Sequence, residues 1–364
     1  MNWKGVVGQK RLITQLENLI QKGQVPHAQL ISGPVGHGML SLALAFSKNL
    51  LSFGAENAQN PNHPDLHFIY PVVKKGTEKH VFSSDYASEW AVFVETSPYG
   101  SYTEWFEAIG VGNKQGHIGV AEIEKLHQKM QLKAFGGRGK VCILWGAEKM
   151  NGAAANAFLK LLEEPPKNTF FILLVEDVEQ VLPTVYSRCQ PIALGPIEHQ
   201  ALLENIPSDF VGNKEQMVAI ANGDFARLHR LLSNEGAKSY EALLVEGLRT
   251  AFKARGNKGV VFSLMEWSQK ISALGREDQK DFLAFSIQFF RDAFLMNYAL
   301  EGIVHFKSET DFDLTKFAPF VHSNNITPLV RLFEDAYRFI QGNGNAKMVF
   351  SDLSLQLTRL INSN

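Results

Sequence analysis

The chain has 364 residues, a length that predicts two or three domains, and its 45% apolar against 20% charged residues exclude a largely disordered chain. With 36 Lys and Arg against 37 Asp and Glu, the formal charge is −1; no bulk positive charge holds it on DNA or a membrane, and any basic surface is local. Phe170 to Val175 is the longest strongly apolar run, Met1-Asn2-Trp3-Lys4 lacks a signal peptide's apolar core, and Cys142 and Cys189 make neither a disulfide framework nor a Cys-rich metal site, so a soluble cytoplasmic protein is expected.

Residues 9 to 22 predict an amphipathic helix, with Leu12, Leu16, Leu19 and Ile20 on one face. Ala28 to Ser32 is a short apolar run. The turn Gly33-Pro34-Val35-Gly36-His37-Gly38 follows, then a helical stretch to about Leu51. Strand, glycine turn and helix in that order make a phosphate-binding unit. Residues 74–117 hold eight aromatics in 44 positions. Tyr86, Trp90 and Phe93 form one helical stripe, and Tyr102, Trp105, Phe106 and Ile109 a second. The favoured reading is an insertion packed on its own domain; the alternative is a partner-docking surface, since aromatics dominate binding hot spots.

Val141 to Trp145, Phe170 to Val175 and Ile192 to Leu194 read as strands, separated by helices over Ala153 to Glu164 and roughly Val178 to Tyr186. Short apolar strands alternating with helices predict a parallel α/β sheet with helices on both faces. Beyond Pro196 the pattern is helical: short helices over 198–235, then 240–252, 260–273, 278–300, 327–341 and 346–362. The expected domains are an α/β core over 1–196 with the insertion at about 74–117, a small helical lid over 197–238, and an all-helical domain over 239–364.

A working phosphate loop reads G-x-x-x-x-G-K-[ST]. Gly33 and Gly38 hold the glycine positions, with Gly36 between them, but Met39 and Leu40 stand where the lysine and the Mg²⁺-ligating hydroxyl belong. Ser41 lies one position late, about 100° further round the helix. The strand Val141-Cys142-Ile143-Leu144 ends in Trp145 and Gly146, where a metal-binding Asp and a catalytic Glu are expected. Losses at both places argue against ATP hydrolysis by this chain. Backbone amides of the turn still leave room for a phosphate.

Three stretches resemble one family. They are Asn151-Gly-Ala-Ala-Ala-Asn156-Ala-Phe-Leu-Lys160-Leu-Leu-Glu163-Glu164-Pro165-Pro166, Leu182-Pro183-Thr184-Val185-Tyr186-Ser187-Arg188-Cys189-Gln190, and His63-Pro64-Asp65. Together they resemble the bacterial clamp-loader family of the AAA+ superfamily, over about 1–235 and more weakly through Tyr337 to Leu353. The resemblance implies an AAA+ core with a degenerate phosphate loop, a lid, and a collar that joins subunits into a ring. It further implies that Arg188 is an arginine finger, catalytic in trans on a neighbouring subunit's ATP, with Ser187, Cys189, Glu163 and Glu164 at the interface. A guanidinium is always charged and forks onto phosphate oxygens. The competing structural reading is that Arg188 caps or salt-bridges the following strand.

Arg227 matches the family's nucleotide-sensing lid arginine and, with no working site, is expected to hold lid to core. Many relatives carry a four-cysteine zinc module near Leu51 to Asn62; LSFGAENAQNPN has no cysteine, so neither zinc nor another cofactor is expected, and His63 and His67 alone are a weak zinc signal. The basic run Phe252 to Lys258 reads as a solvated connector. The implied partners are the gamma/tau-type ATPase subunits, which bind the ATP, the delta subunit and, through the assembly, the sliding clamp and primed DNA. The expected function is therefore a non-hydrolysing clamp-loader subunit in DNA replication. Two alternatives stand beside it: a free-standing AAA+ ATPase with an atypical site, and an AAA+-fold scaffold outside replication.

Overall fold

Five short parallel strands organise the N-terminal half of the chain. The computed structural model describes residues 1–51, 63–74, 80–112, 114–135, 139–233, 236–254, 259–298, 300–308, 310 and 312–362. In chain order the elements to Ala193 are α1 (Lys10–Gln21), β1 (Ala28–Ser32), α2 (Met39–Leu51), β2 (Leu66–Ile69), α3 (Ala87–Thr96), α4 (Tyr102–Ala108), α5 (Val120–Gln131), β3 (Lys140–Trp145), α6 (Gly152–Glu163), β4 (Thr169–Val175), α7 (Pro183–Tyr186) and β5 (Gln190–Ala193). The sheet order is β2-β3-β4-β1-β5. Register places Leu30 beside Leu173 and Ile192 beside Ile31.

Both faces of this sheet are covered, which is why its central strands read as unbroken apolar runs. Along β3 the side chains alternate between two cores. Val141, Ile143 and Trp145 pack with Leu42 and Phe46 of α2 and with Trp90 and Trp105. Cys142 and Leu144 pack with Ile123 and Leu126 of α5 and Phe158 of α6. The aromatic insertion is part of the first core: Tyr86, Trp90, Phe93, Tyr102, Trp105, Phe106 and Ile109 are all buried there. Trp90 stacks on Tyr70 at 4.0 Å, and the Trp105 indole donates to the Pro71 carbonyl at 2.9 Å. These two stripes therefore pack on their own domain rather than offering aromatics to a partner.

Two sequence expectations change. β2 carries only Leu-His-Phe-Ile, too short and polar at His67 to read as a strand, yet it pairs with β3 along its whole length. The helix expected over Val178 to Tyr186 is broken into a 3-10 turn at Val178–Gln180 and α7, because Pro183 can sit only in the first turn of a helix.

Beyond Ala193 the elements are α8 (His199–Glu204), α9 (Lys214–Ala221), α10 (Phe225–Ser233), α11 (Gly236–Lys253), α12 (Val260–Ser272), α13 (Arg276–Met296), α14 (Leu314–Phe317), α15 (Ile326–Gln341) and α16 (Ala346–Asn362). The chain divides into two compact units: Met1–Ala201 with Gly223–Ala226, and Leu202–Asn222 with Arg227–Asn364. The second is all-helical, with Trp267, Phe282, Phe289, Phe290, Phe333 and Phe350 fully buried. Among the described residues no helix is long and apolar enough to cross a membrane.

Candidate functional site

β1 runs into the glycine turn, and α2 leaves it. A Cβ on Gly33 would come within 2.9 Å of the Leu194 side chain, so the first glycine is required by packing. Gly36 has φ +80, and a Cβ there would overlap a carboxylate oxygen of Asp224 at 1.7 Å. Gly38 has φ +94, and a Cβ there would meet the Tyr99 ring at 2.8 Å. The turn thus has the glycine geometry of a phosphate loop, but its surroundings are occupied by this chain's own side chains. The Phe225 amide donates to the Gly36 carbonyl at 3.0 Å, which holds Asp224 against the turn. Tyr99, from the segment joining α3 and α4, donates its hydroxyl to the Gly5 carbonyl at 3.0 Å and accepts from the Val7 amide at 2.7 Å. Its ring meets Phe225 edge-on at 4.7 Å.

Met39 and Leu40 are buried members of the sheet's first core. Ser41 is spent on the N-terminal segment, donating to the Gly5 carbonyl at 2.5 Å. The end of β3 is closed in the same manner. Trp145 packs against Tyr102, Trp90 and Phe93 at 4.6, 5.3 and 5.5 Å between ring centroids. Gly146 has φ +77, and a Cβ there would come within 3.0 Å of Pro71 and 3.2 Å of Tyr102.

The sequence reading missed one acid here. Glu148 is buried and accepts from the Tyr102 hydroxyl at 2.9 Å and the Glu176 amide at 3.1 Å, while its Oε2 has no partner. Burial raises its pKa above the ordinary carboxylate value of 4.5. With a raised folded-state pKa, its stabilising contribution is fully present below about pH 4.5 and is lost as pH rises through the folded value. Glu148→Gln keeps an acceptor for both donors and cannot ionise. We expect the difference in urea midpoint, variant minus native, to grow from pH 4 to pH 8; a constant difference would contradict this.

Arg188 sits on the turn after α7. Pro183 starts that helix, and the backbone amides of Arg188 and Cys189 close it on Val185 and Tyr186 at 3.1 Å each. The guanidinium makes two contacts: Nη1 donates to the Thr184 carbonyl at 3.0 Å, and Nη2 pairs with Glu163 Oε1 at 2.7 Å. Its side chain is 38% exposed and that of Glu163 50%. The partner is the last residue of α6, not the following strand. Glu164 caps the same helix end through its amide, on the Lys160 carbonyl. Ser187 Oγ donates to the Thr184 carbonyl at 3.2 Å. Cys189 is buried, with its thiol pushed up to about 12 by desolvation, so it is an inert anchor for the triplet. An exposed pair such as Arg188–Glu163 is worth about 0–1 kcal/mol and gives way readily to a better partner.

Arg227 is buried in the helical unit. It donates to Asp281 Oδ1 at 3.0 Å, to the Tyr337 hydroxyl at 2.7 Å and to the Ala221 carbonyl at 3.4 Å. Arg230 joins it on Asp281 at 2.8 and 3.1 Å. These bonds fasten α10 to α13 and α15, a role within the helical unit that the sequence reading of a lid-to-core contact did not foresee. The cause is Asp281 itself, a fully buried carboxylate that needs cationic partners. Asp281→Ala removes the buried carboxylate that Arg227 and Arg230 share, although Arg230 keeps Glu277 at 3.5 Å, and we expect it to lower stability by about 3–5 kcal/mol. A urea-midpoint change worth less than about 1 kcal/mol would contradict that.

Comparison with known proteins puts these features in a family. A family model described as "DNA polymerase III, delta subunit" matches residues 8–198, just over half of the chain. The chain belongs to that family. A Bacillus subtilis (strain 168) protein named DNA polymerase III subunit delta' is 25% identical over 261 residues, 68% of this chain and 67% of that one. A delta' protein of Haemophilus influenzae is 34% identical over 122 residues, 33% of this chain and 37% of its own length. The B. subtilis subunit tau is 24% identical over 371 residues, 96% of this chain and 60% of that protein. The chain is thus a delta-prime-like member of the DNA polymerase III clamp-loader family, with the parallel α/β sheet and helical C-terminal region that the resemblance implies.

In this delta-prime-like chain His67 lies beside Lys129 and Lys140, and burial with those charges pulls its pKa down to about 4. His63 Nδ1 accepts from the Asp65 amide at 3.1 Å. Among the described residues no three metal-type ligands converge. The segment read as lacking the zinc module, beyond Leu51, and most of the basic run ending at Lys258 lie outside the described residues.

Proposed function

We propose that the chain is a non-hydrolysing, delta-prime-like subunit of the DNA polymerase III clamp loader, and that it supplies Arg188 in trans to the ATP of a neighbouring gamma/tau-type subunit. One observation carries the reading: Arg188 stands half-exposed on a short, proline-started turn with a weak surface partner, while the chain's own glycine turn has Tyr99 and Asp224 packed against Gly38 and Gly36. A guanidinium has five N–H donors, and two contacts leave the fork able to turn onto phosphate oxygens. Tyr99 and Asp224 pack against Gly38 and Gly36, which supports the expectation that no ATP is bound in this chain's own site. The subunit would serve as a fixed wall of the loader, with a lid over 197–238 and a collar over 239–364. It would assemble in the cytoplasm with the ATPase and delta subunits and meet the sliding clamp and primed DNA as part of that complex. Glu163 and Glu164, at the end of α6, would line the same subunit interface. Replacing Arg188 in the reassembled loader is the experiment that tests the reading, with ATP turnover as the readout.

A further inference from the structure

Glu163 and Arg188 belong to different elements, and each is held in place independently of the other. Glu163 is the last residue of α6. That helix end is pinned to the sheet: His27, just before β1, donates its Nε2 to the Leu162 carbonyl at 3.0 Å, and its own carbonyl accepts from the Phe171 amide of β4 at 2.7 Å. The Glu164 amide closes the last turn on Lys160, and Pro165 and Pro166 stop the helix there. Arg188 follows α7, and Val185 and Cys189 on either side of it are buried in the core that holds Phe158 and Leu161 of α6. The ion pair thus bridges two fixed ends, and the fold sets its 2.7 Å separation.

Both terminal nitrogens of Arg188 are committed to the chain's own atoms, Nη1 to the Thr184 carbonyl and Nη2 to Glu163. We infer that Glu163 is a positioning residue that parks Arg188 against its own chain, in competition with the phosphate of a nucleotide on the neighbouring subunit. The inference rests on the trans role proposed for Arg188. A nucleotide next door must break the pair to engage the guanidinium, and only one whose γ-phosphate oxygens reach it gains by doing so. When that phosphate leaves, the pair re-forms and the finger withdraws. The strength suits a latch: an exposed pair shifts an equilibrium by about fivefold at most, which delays engagement without preventing it. A bridge that served only the fold would act on the stability of the chain and not on nucleotide binding next door.

The test is a double-mutant cycle in the loader reassembled from the same cell's subunits, with the native chain, Glu163→Gln, Arg188→Ala and the two together. Equilibrium binding of the non-hydrolysable analogue AMP-PNP and of ADP is the readout. Glu163→Gln is expected to tighten AMP-PNP at the adjoining site about two- to fivefold, to leave ADP unchanged, and to have no effect once Arg188 is alanine. In turnover it lowers KM for ATP and keeps kcat, and Glu163→Asp, which retains the charge, returns KM toward native. In the free chain, arginine side-chain NMR is expected to show slower rotation of the Arg188 guanidinium in the native protein than in Glu163→Gln; equal rotation would overturn the parked state whether or not the variant assembles. Native AMP-PNP binding in the Glu163→Gln loader would overturn the latch and leave the Arg188 reading standing. Equal tightening in the Arg188→Ala background would also overturn it, since the carboxylate would then act on the nucleotide directly. A lower kcat at unchanged KM would overturn it in favour of a carboxylate that orients the finger for reaction. Native binding and turnover in Arg188→Ala would overturn the trans reading and the latch together.

Discussion

Met39→Lys with Leu40→Thr restores the missing letters of the phosphate loop, and the expected result is a less stable chain that still does not bind ATP. Both positions belong to the buried core on one face of the sheet. A lysine at 39 must bury an ammonium without a partner, and a threonine at 40 removes apolar contacts and adds a hydroxyl. Together these changes are expected to cost about 4 kcal/mol or more. No ATP site results, because Asp224 still lies against Gly36 and Tyr99 against Gly38. Urea midpoints and titration calorimetry with Mg-ATP check the two halves separately. Measurable ATP affinity in a variant of native stability would show that only the two side chains, and not the packing of Asp224 and Tyr99 on the turn, had closed the site.

The glycine spacing and the lost lysine were legible because a phosphate loop is local: strand, turn and helix lie within one short segment. What fills the loop was not. Tyr99 and Asp224 come from distant segments, and nothing in their neighbours' periodicity points to the turn. The aromatic stripes at Tyr86 to Phe93 and Tyr102 to Ile109 were legible as helices, and their burial follows from the apolar sheet face they cover. β2 was hidden because four residues with a histidine among them carry no run to detect. Glu148 was hidden because an acid a few residues beyond a strand looks like a loop residue; only its Tyr102 bond and its burial mark it. Arg188 was legible as part of Ser187-Arg188-Cys189, but its resting partner Glu163 was not, since an ion pair between two helix ends has no sequence spacing. The role of Arg227 depends on Asp281 and Tyr337, in helices that the sequence placed only approximately.

Arg188→Ala is expected to have the largest effect on function and almost none on folding. Its two contacts are at the surface, so their loss is within about 1 kcal/mol. In trans, by contrast, a guanidinium on a γ-phosphate stabilises charge that builds only in the transition state. In GTPases a finger is worth about 10³ to 10⁵ in rate, so under the proposed trans role the neighbouring ATP site would be nearly silenced. Glu163→Gln removes the resting ion pair but keeps the guanidinium, so in a complex that assembles its turnover should stay far above that of Arg188→Ala. Arg188→Lys keeps one charge but not the planar fork, and should recover little.

The measurement that tests this most directly is clamp- and DNA-stimulated ATP turnover of the loader reassembled from the same cell's subunits, with the native chain or Arg188→Ala. A large loss of turnover in a complex that still assembles, at unchanged stability of the variant chain, is the predicted result. Native turnover in an intact Arg188→Ala complex would contradict the trans role and leave this chain a scaffold.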